Sequence, residues 1–506
     1  MTIYNLNLGI GWASSGVEYA QAYRGQLFRK LGLDTKFIFT DFFVQDNLSD
    51  LTRNLGFLDE EIIWLYGYFT DVKVAPSSYR LSDLLANMKE QIRGEEVTDQ
   101  FIRYFLGASD HFMTVYLSKK DKEAVHCVEY VHKGNLVRKD VYSYTKIFSE
   151  YYTPKEQTAH LYLRRFFNED GSVAYDEIID GPKSMFKFPK AILYSKEELI
   201  SYFMQDLNLT ANDLFLLDRA TGTGQSVFRY HGQARLGVVI HAEHYSPNYV
   251  TDDTILWNNF YDYQFVNADK VDFFLTSTQR QKEVLEEQFL RYTGHVPRVI
   301  AIPVGSLDQL RGENAKRKPY SILTASRLAT EKHVDWLTRA VIAAKKELPN
   351  LTFDIYGQGG EWDKIDQIIR EAGAEDSIQL MGHHQLADVY QQYELYLTAS
   401  KSEGFGLTLL EAVGSGLPLI GFDVPYGNQT FVKEGQNGYL LPCPSADDET
   451  AIVAAYQQAI VTFFRQADRE VMRQTSYRLA EGFLTSNVEE AWLKLVKEMT
   501  ANDNLI

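Results

Sequence analysis

From "DLFLLDRA" to "GLTLLEAVGSG" (213–416) the chain repeats one pattern. A short apolar run is followed by a turn of small residues, and then by a stretch with helical periodicity. "LGVVIHAEH", "VDFFLTS", "YSILTASRL", "LTFDIYGQGG", "SIQLMG" and "LYLTAS" read as strands. "TQRQKEVLEEQFLRYTG", "VDWLTRAVIAAKKELPN", "WDKIDQIIREAG" and "LADVYQQY" read as the helical parts between them. Strand–helix alternation implies parallel sheets covered on both faces, and such sheets bind ligands at the carboxyl ends of their strands. The first forty residues repeat the pattern: "TIYNLNLG", a glycine loop, "VEYAQAYRGQLFRKLG" and "TKFIFT". Val17, Ala20, Tyr23, Leu27 and Leu31 recur at helical spacing, and Gly32 is placed to end that helix.

Between these parts the pattern changes. From about Phe42 to Leu209 the chain is rich in Tyr, Phe and charge. "AVHCVEYV", "LVRKDVYSYTKIF", "HLYLRRFF" and "SVAYDEII" alternate as strands, with "HKGN" and "NEDGS" as hairpin turns. "YSKEELISYFMQDL" then leads back as a helix. The expected fold is α/β, with two Rossmann-like domains facing across a cleft and an antiparallel β-sheet inserted in the N-terminal half. The expected boundaries are 1–41 and 213–305 for the first domain, 42–212 for the insertion and 306–506 for the second. The last helix is free to return to the first domain.

A chain of 506 residues needs more than one core. Its formal charge of −17 argues against duplex nucleic acid or an anionic membrane as main partner, although Lys316, Arg317 and Lys318 form a local basic patch. Cys127 and Cys443 are too few for a disulfide framework, which fits a reducing compartment. Neither a signal-peptide layout nor an apolar run of spanning length is found, so a cytoplasmic location is expected.

Four stretches carry chemistry. In "GIGWASSGVEYA" a glycine loop opens a helix and offers amides to an anion. Its spacing does not match the dinucleotide fingerprint, and a plain strand-to-helix turn is an equal alternative. In "ASRLATEKH", Arg327 and Lys332 leave a strand end, where they can meet a diphosphate or stand as two solvated cations. In "LMGHHQLADVY", Gly382 allows close approach, while the adjacent His383 and His384 point to opposite faces if extended and make a poor metal site. In "SEGFGLTLLEAVGSGLP", Glu403 sits at a strand-to-helix turn, Gly404 and Gly406 flank Phe405, and Glu411 follows two turns on. The apolar setting of Glu411 implies burial, with sugar hydroxyls as suitable partners; helix capping and surface exposure are the plain alternative. His241 ends the buried strand "LGVVI", a position suited equally to function or to a satisfied core histidine.

Together "SGVEYA", "ASRLATEKH" and "SEGFGLTLLEA" resemble the retaining family 4 glycosyltransferases of GT-B architecture, over residues 1–40 and 213–506. Ser15 stands where that family has the first of two glycines, and the Glu-x7-Glu pattern is complete. With the aromatic β-region, the chain is similar to the A subunits of the accessory-secretion O-GlcNAc transferases that start glycosylation of serine-rich-repeat adhesins. The resemblance implies a UDP-GlcNAc donor, Ser/Thr acceptors, a retained α-linkage, no metal cofactor and a noncatalytic B subunit as partner, with the inserted sheet as one contact surface. The sequence leaves open a peripheral association with the cytoplasmic face of the membrane through that complex.

Carried over by motif, Arg327 and Lys332 neutralise the diphosphate and Glu411 holds the ribose. Glu403, with the amides of Gly404, Phe405, Gly406 and Leu407, holds the sugar and phosphate. Gly16, Val17, Glu18 and Tyr19 form the opposing lip, His241 contacts the transferred sugar, and Gly382, His383 and His384 lie near the uracil. Two other readings use the same residues. A hydrolase needs two carboxylates about 5–9 Å apart across a glycosidic bond. A noncatalytic peptide-binding subunit of the same fold has no need of a diphosphate clamp.

Overall fold

The computed structural model describes residues 1–500 except 13–14, 44–45, 108–109, 314 and 445–447. The chain divides into two compact units, Met1–Val239 with Phe260–Asp272 and Lys497–Ile506, and Ile240–Asn259 with Phe273–Val496.

In the first unit a parallel sheet is built around Ile3–Asn7. Thr35–Phe39 and then Ile62–Trp64 pair on one side, and Leu214–Leu217 and then Arg235–Ile240 on the other. In chain order the strands run 3-2-1-4-5, so the direction of winding reverses between Ile3–Asn7 and Leu214–Leu217. The loop after Asn7 and the turn at Asp218 and Arg219 leave the sheet at that reversal. Gly16–Lys30 is helical and ends at Leu31, with Gly32 at φ +67° as its left-handed exit.

The inserted sheet has ten strands in simple meander order, from Ile92–Val97 to Ile192–Leu193. The turn after Val125–His132 has Lys133 and Gly134 both at positive φ, the hairpin geometry that "HKGN" suggests. Two details differ from expectation. "LVRKDVYSYTKIF" is two strands, Asn135–Tyr142 and Lys146–Lys155, because the Ser143 N–H bonds the Thr145 carbonyl and reverses the chain. The stretch just after residue 42 is not antiparallel: Leu48–Leu55 is a helix, and Ile62–Trp64 extends the parallel sheet.

At the base of the insertion Phe42, Tyr66, Phe148, Phe166, Tyr175 and Phe186 form a contiguous aromatic core. Arg164 lies over Phe42 and reaches Glu150 at 2.8 Å and Glu177 at 3.0 Å, both nearly inaccessible. Ionic groups this deep are tolerated because each is paired.

The second unit holds a six-stranded parallel sheet in the spatial order Ile378–Gly382, Thr352–Tyr356, Ser321–Ala325, Leu395–Leu397, Leu419–Phe422 and Gly438–Leu441. That is 3-2-1-4-5-6 in chain order. Winding therefore reverses between Ser321–Ala325 and Leu395–Leu397, and the two loops leaving their carboxyl ends are "SRLATEK" and "TASKSEGFG". The segment read as a helical part at "LADVYQQY" holds tight turns in place of an α-helix, with the Val389 amide donating to the Leu386 carbonyl and a one-turn helix at Tyr390–Gln392.

Candidate active site

The reversal point of the second unit brings together two of the sequence-predicted charges. Lys332 ends a one-turn helix, Thr330–Lys332, and its Nζ lies 2.9 Å from Glu403 Oε2. Both side chains keep about a fifth of their surface open (22% each), so the pair is shielded yet reachable by a ligand. Arg327 stands differently: its guanidinium is exposed and pairs with Glu331 at 3.0 Å, one turn on. A surface pair of this kind holds its partners weakly, so the guanidinium can be recruited by a stronger anion.

The turn after Glu403 is fixed by its neighbours. The Glu403 carbonyl accepts hydrogen bonds from the amides of both Tyr426 and Gly427, at 2.8 Å each. Phe405 is buried against Phe431 and Phe483. Gly406 sits at φ +88°, and a Cβ there would fall 2.7 Å from Leu409 Cδ1. Gly404 approaches the His241 carbonyl so closely that a Cβ would lie 3.1 Å from it. Helix Leu407–Gly414 starts from Gly406 without a side-chain cap, which leaves its first amides to a ligand anion.

Glu411 departs from expectation. It is solvent-exposed, because the helix turns it away from the apolar face formed by Leu409, Leu410, Ala412 and Val413. One carboxylate oxygen takes a 2.8 Å hydrogen bond from the hydroxyl of Tyr390, which is fully buried. Desolvation by the surrounding protein raises the Glu411 pKa, while the Tyr390 hydroxyl and the Arg311 charge pull it down. One face of the carboxylate is thus anchored and the other is open to water or a ligand.

Gly382 is buried at φ +75°, and its carbonyl accepts from the Gly357 amide at 2.8 Å. His383 and His384 are exposed. His384 Nε2 lies 2.8 Å from the Met381 carbonyl, and its ring meets Tyr356 edge-on. His241 directly follows strand Arg235–Ile240 and is partly exposed. Among the described residues no group of three or more His, Cys, Asp or Glu side chains is arranged to hold a metal.

Gly16, Val17, Glu18 and Tyr19 form the first turn of their helix in the first unit. Gly16 and Tyr19 are exposed. The Glu18 side chain turns inward: it is buried, takes the Ser15 amide at 2.6 Å and the Asn7 side-chain amide at 2.9 Å, and closes a capping box, which leaves the backbone of this turn as what Glu18 can offer a ligand. The basic patch is likewise structural at its centre. Arg317 donates to the carbonyls of Tyr393 and Ser415, at 2.6 Å each, and desolvation lowers its pKa.

Sequence reasoning passed over Tyr390, His244, Tyr426 and Gly427. "FDVPYGNQ" leaves the carboxyl end of strand Leu419–Phe422, so the rule that singled out "SEGFG" also points to it. Tyr390 had no such signal.

Residues 93–190 match the family model described as GtfA extended beta-sheet domain, and residues 307–476 match glycosyl transferases group 1. A Streptococcus gordonii UDP-N-acetylglucosamine--peptide N-acetylglucosaminyltransferase GtfA subunit is 57% identical over 99% of both chains. The chain belongs to the GtfA family. A solved pneumococcal O-GlcNAc transferase GtfA, in complex with UDP and GlcNAc, is 55% identical with a TM-score of 0.89 over 99% of each chain. A solved GtfA/B complex contains a chain 56% identical, with a TM-score of 0.96 over 99% of this chain and 100% of that one. The GtfA family has the GT-B glycosyltransferase fold, with a separate antiparallel sheet in the N-terminal half, as the strand–helix grammar and the aromatic insertion imply.

Proposed function

We propose that this chain is the catalytic subunit of a protein O-GlcNAc transferase, moving GlcNAc from UDP-GlcNAc to Ser/Thr hydroxyls with retention at the anomeric carbon. The observation that carries the proposal is the Lys332–Glu403 pair at the winding reversal, with the helix start beside it and Glu411 eight residues on. A nucleotide-sugar is an anion with hydroxyls at both ends, and this arrangement offers cations and amides between two carboxylates.

In this reading Lys332 turns from Glu403 to the β-phosphate and Arg327 leaves Glu331 for the same charge. Glu403 then accepts from the sugar hydroxyls, Glu411 accepts from the ribose, and His241 contacts the transferred sugar. Gly382, His383 and His384 border the base. Bond breaking sends the C1–O electron pair to the β-phosphate oxygen, where the cations and the first amides of helix Leu407–Gly414 stabilise it. The acceptor hydroxyl attacks C1 from the same face and its proton passes to the departing phosphate oxygen. No protein nucleophile is required, and charge neutralisation is assigned to side chains and not to a metal, so transfer should persist in excess chelator.

The solved GtfA/B complex supports a partner subunit of the B type, and we place its contact on the inserted sheet. The acceptor is assigned as a Ser/Thr-rich adhesin polypeptide and the location as cytoplasmic, peripheral to the membrane at most. Among the described residues no helix is long and apolar enough to cross a membrane.

The test incubates the full chain and its B-type partner with UDP-GlcNAc or UDP-glucose and a Ser/Thr-rich polypeptide, following UDP release and polypeptide mass. One N-acetylhexosamine increment per modified site, from UDP-GlcNAc in preference to UDP-glucose, is expected. Absence of any mass increment from either donor would show a binding subunit instead of an enzyme.

A further inference from the structure

The segment following His241 is tied to the Glu403 turn by a buried relay that no sequence motif announces. His244 is completely buried, and its ring lies nearly parallel to that of Tyr426, with centroids 5.6 Å apart and planes 17° from parallel. Its Nδ1 is 2.9 Å from the Tyr426 hydroxyl, and its Nε2 is 2.8 Å from Gln288 Oε1 on helix Gln279–Thr293. Both contacts are satisfied by a single neutral tautomer. Nε2–H donates to the Gln288 carbonyl oxygen, and Nδ1 accepts from the Tyr426 hydroxyl. Burial pushes the His244 pKa down to about 4, which keeps the ring in that neutral form at working pH.

The relay continues through the backbone. The Tyr426 amide donates to the Glu403 carbonyl, and so does the amide of Gly427. Gly427 itself is in such close contact that a Cβ would fall 2.2 Å from the Phe405 carbonyl oxygen and 3.0 Å from Glu403 Cγ. On the other side the Gln281 side-chain amide donates to the Ala242 carbonyl at 2.9 Å, and the His241 carbonyl faces Gly404. One helix therefore grips the 241–244 segment at two points. Through His244 and Tyr426 that segment is registered against the turn bearing Glu403.

We propose that His244 and Tyr426 are positioning residues of the donor-sugar clamp, fixing the Glu403 turn against the segment that carries His241. This rests on the reading of Glu403 and His241 as sugar-contacting groups. Neither positioning residue touches the donor. Their role is to hold two sugar contacts in one geometry, where a displacement of about 1 Å can cost on the order of a hundredfold in rate. The relay engages the sugar end of the clamp only, since Glu411 and Tyr390 are anchored separately.

The test uses the full chain with its B-type partner and the variants Tyr426→Phe, His244→Phe, His244→Asn and His244→Gln. Tyr426→Phe keeps the ring and the backbone donor to Glu403 but removes the hydroxyl. His244→Asn restores an acceptor near the Nδ1 position, and His244→Gln restores only a group near Nε2. Three readouts are combined: kcat and KM for GlcNAc transfer, the affinity ratio of UDP-GlcNAc over UDP, and hydrogen exchange of residues 402–408. We expect Tyr426→Phe and His244→Phe to lower kcat about tenfold and to shrink the affinity ratio, while UDP affinity stays within twofold. Exchange in 402–408 should rise, and His244→Asn should recover more of each quantity than His244→Gln.

Equal recovery by Asn and Gln, or kcat and affinity ratio within twofold of the parent in Tyr426→Phe and His244→Phe, would overturn the positioning role. If the parent chain transfers no GlcNAc and does not prefer UDP-GlcNAc to UDP, the functional proposal has failed on its own. Exchange over 402–408 then still decides the relay, with unchanged protection in Tyr426→Phe refuting it.

Discussion

Replacing Tyr390 by Phe removes one oxygen from the core and leaves the packing around its ring in place. The lost contact is the 2.8 Å hydrogen bond to Glu411, whose other face is open to solvent. A hydrogen bond to a charged acceptor contributes about 1.5–3 kcal/mol when both groups are dry. Water reaches Glu411 and replaces part of that, so the expected loss is about 1–1.4 kcal/mol, or about five- to tenfold in donor affinity.

In the proposed clamp the ribose is remote from the breaking bond and is held equally before and during transfer. KM for UDP-GlcNAc should therefore rise by that factor with kcat within twofold. A pH signature accompanies it. Desolvation by the protein around its anchored face raises the Glu411 pKa, so the carboxylate assigned to the ribose is lost at a higher pH than for an ordinary glutamate. Donor affinity is present above that pKa and falls as pH drops through it. Tyr390 lowers the pKa, so Tyr390→Phe should move the fall to higher pH. Folding stability moves in the opposite direction, since a raised carboxyl pKa favours the folded chain below it. Weaker binding at low pH thus cannot be unfolding through this group. Initial rates of UDP release over a grid of donor concentration and pH provide the measurement. A fall in kcat at unchanged KM, or a pH profile superimposable on that of the parent, would refute the ribose assignment.

Gly427→Ala should lower transfer by roughly a hundredfold at near-normal secondary structure by circular dichroism, because its Cβ drives into the Phe405 carbonyl and displaces the Glu403 turn. Glu18→Gln keeps one of the two oxygens that accept from the Ser15 and Asn7 amides and sets an NH2 group against the other donor, so it should destabilise the first unit by about 1 kcal/mol in a urea titration while KM for the donor changes less than twofold. Arg164→Met strands Glu150 and Glu177 in the base of the insertion and should cost about 3–5 kcal/mol, read as selective loss of the sheet's hydrogen-exchange protection and of co-purification with the partner.

Much of the fold is legible because its signals are local. Period-2 alternation and "HKGN" specify hairpins wherever they sit, and Ser195, Thr278, Gly32 and Gly294 mark helix ends by chemistry that needs no distant contact. Local pattern misleads where it diverges from tertiary pairing. "LVRKDVYSYTKIF" alternates without a break, yet it folds back at Ser143 because its two halves pair with each other. Ile62–Trp64 looks like part of the aromatic insertion until it is seen paired with Thr35–Phe39.

The same division runs through the site. Spacing and pattern alone establish that two α/β sheets carry small-residue loops at their strand ends, that Lys332 and Glu403 stand in those loops, and that Glu411 follows on the helix after Glu403. Spacing along the chain and strand–helix alternation settle this. Packing alone brings Lys332 onto Glu403, since 71 residues separate them and a parallel sheet reveals its neighbours only when assembled. It also turned Glu18 into a buried cap, Arg317 into a brace for two carbonyls and Glu411 into an exposed carboxylate anchored by Tyr390. Sequence types a charge and gives its place on an element, while its use depends on which polar groups the packed chain leaves within about 3 Å of it.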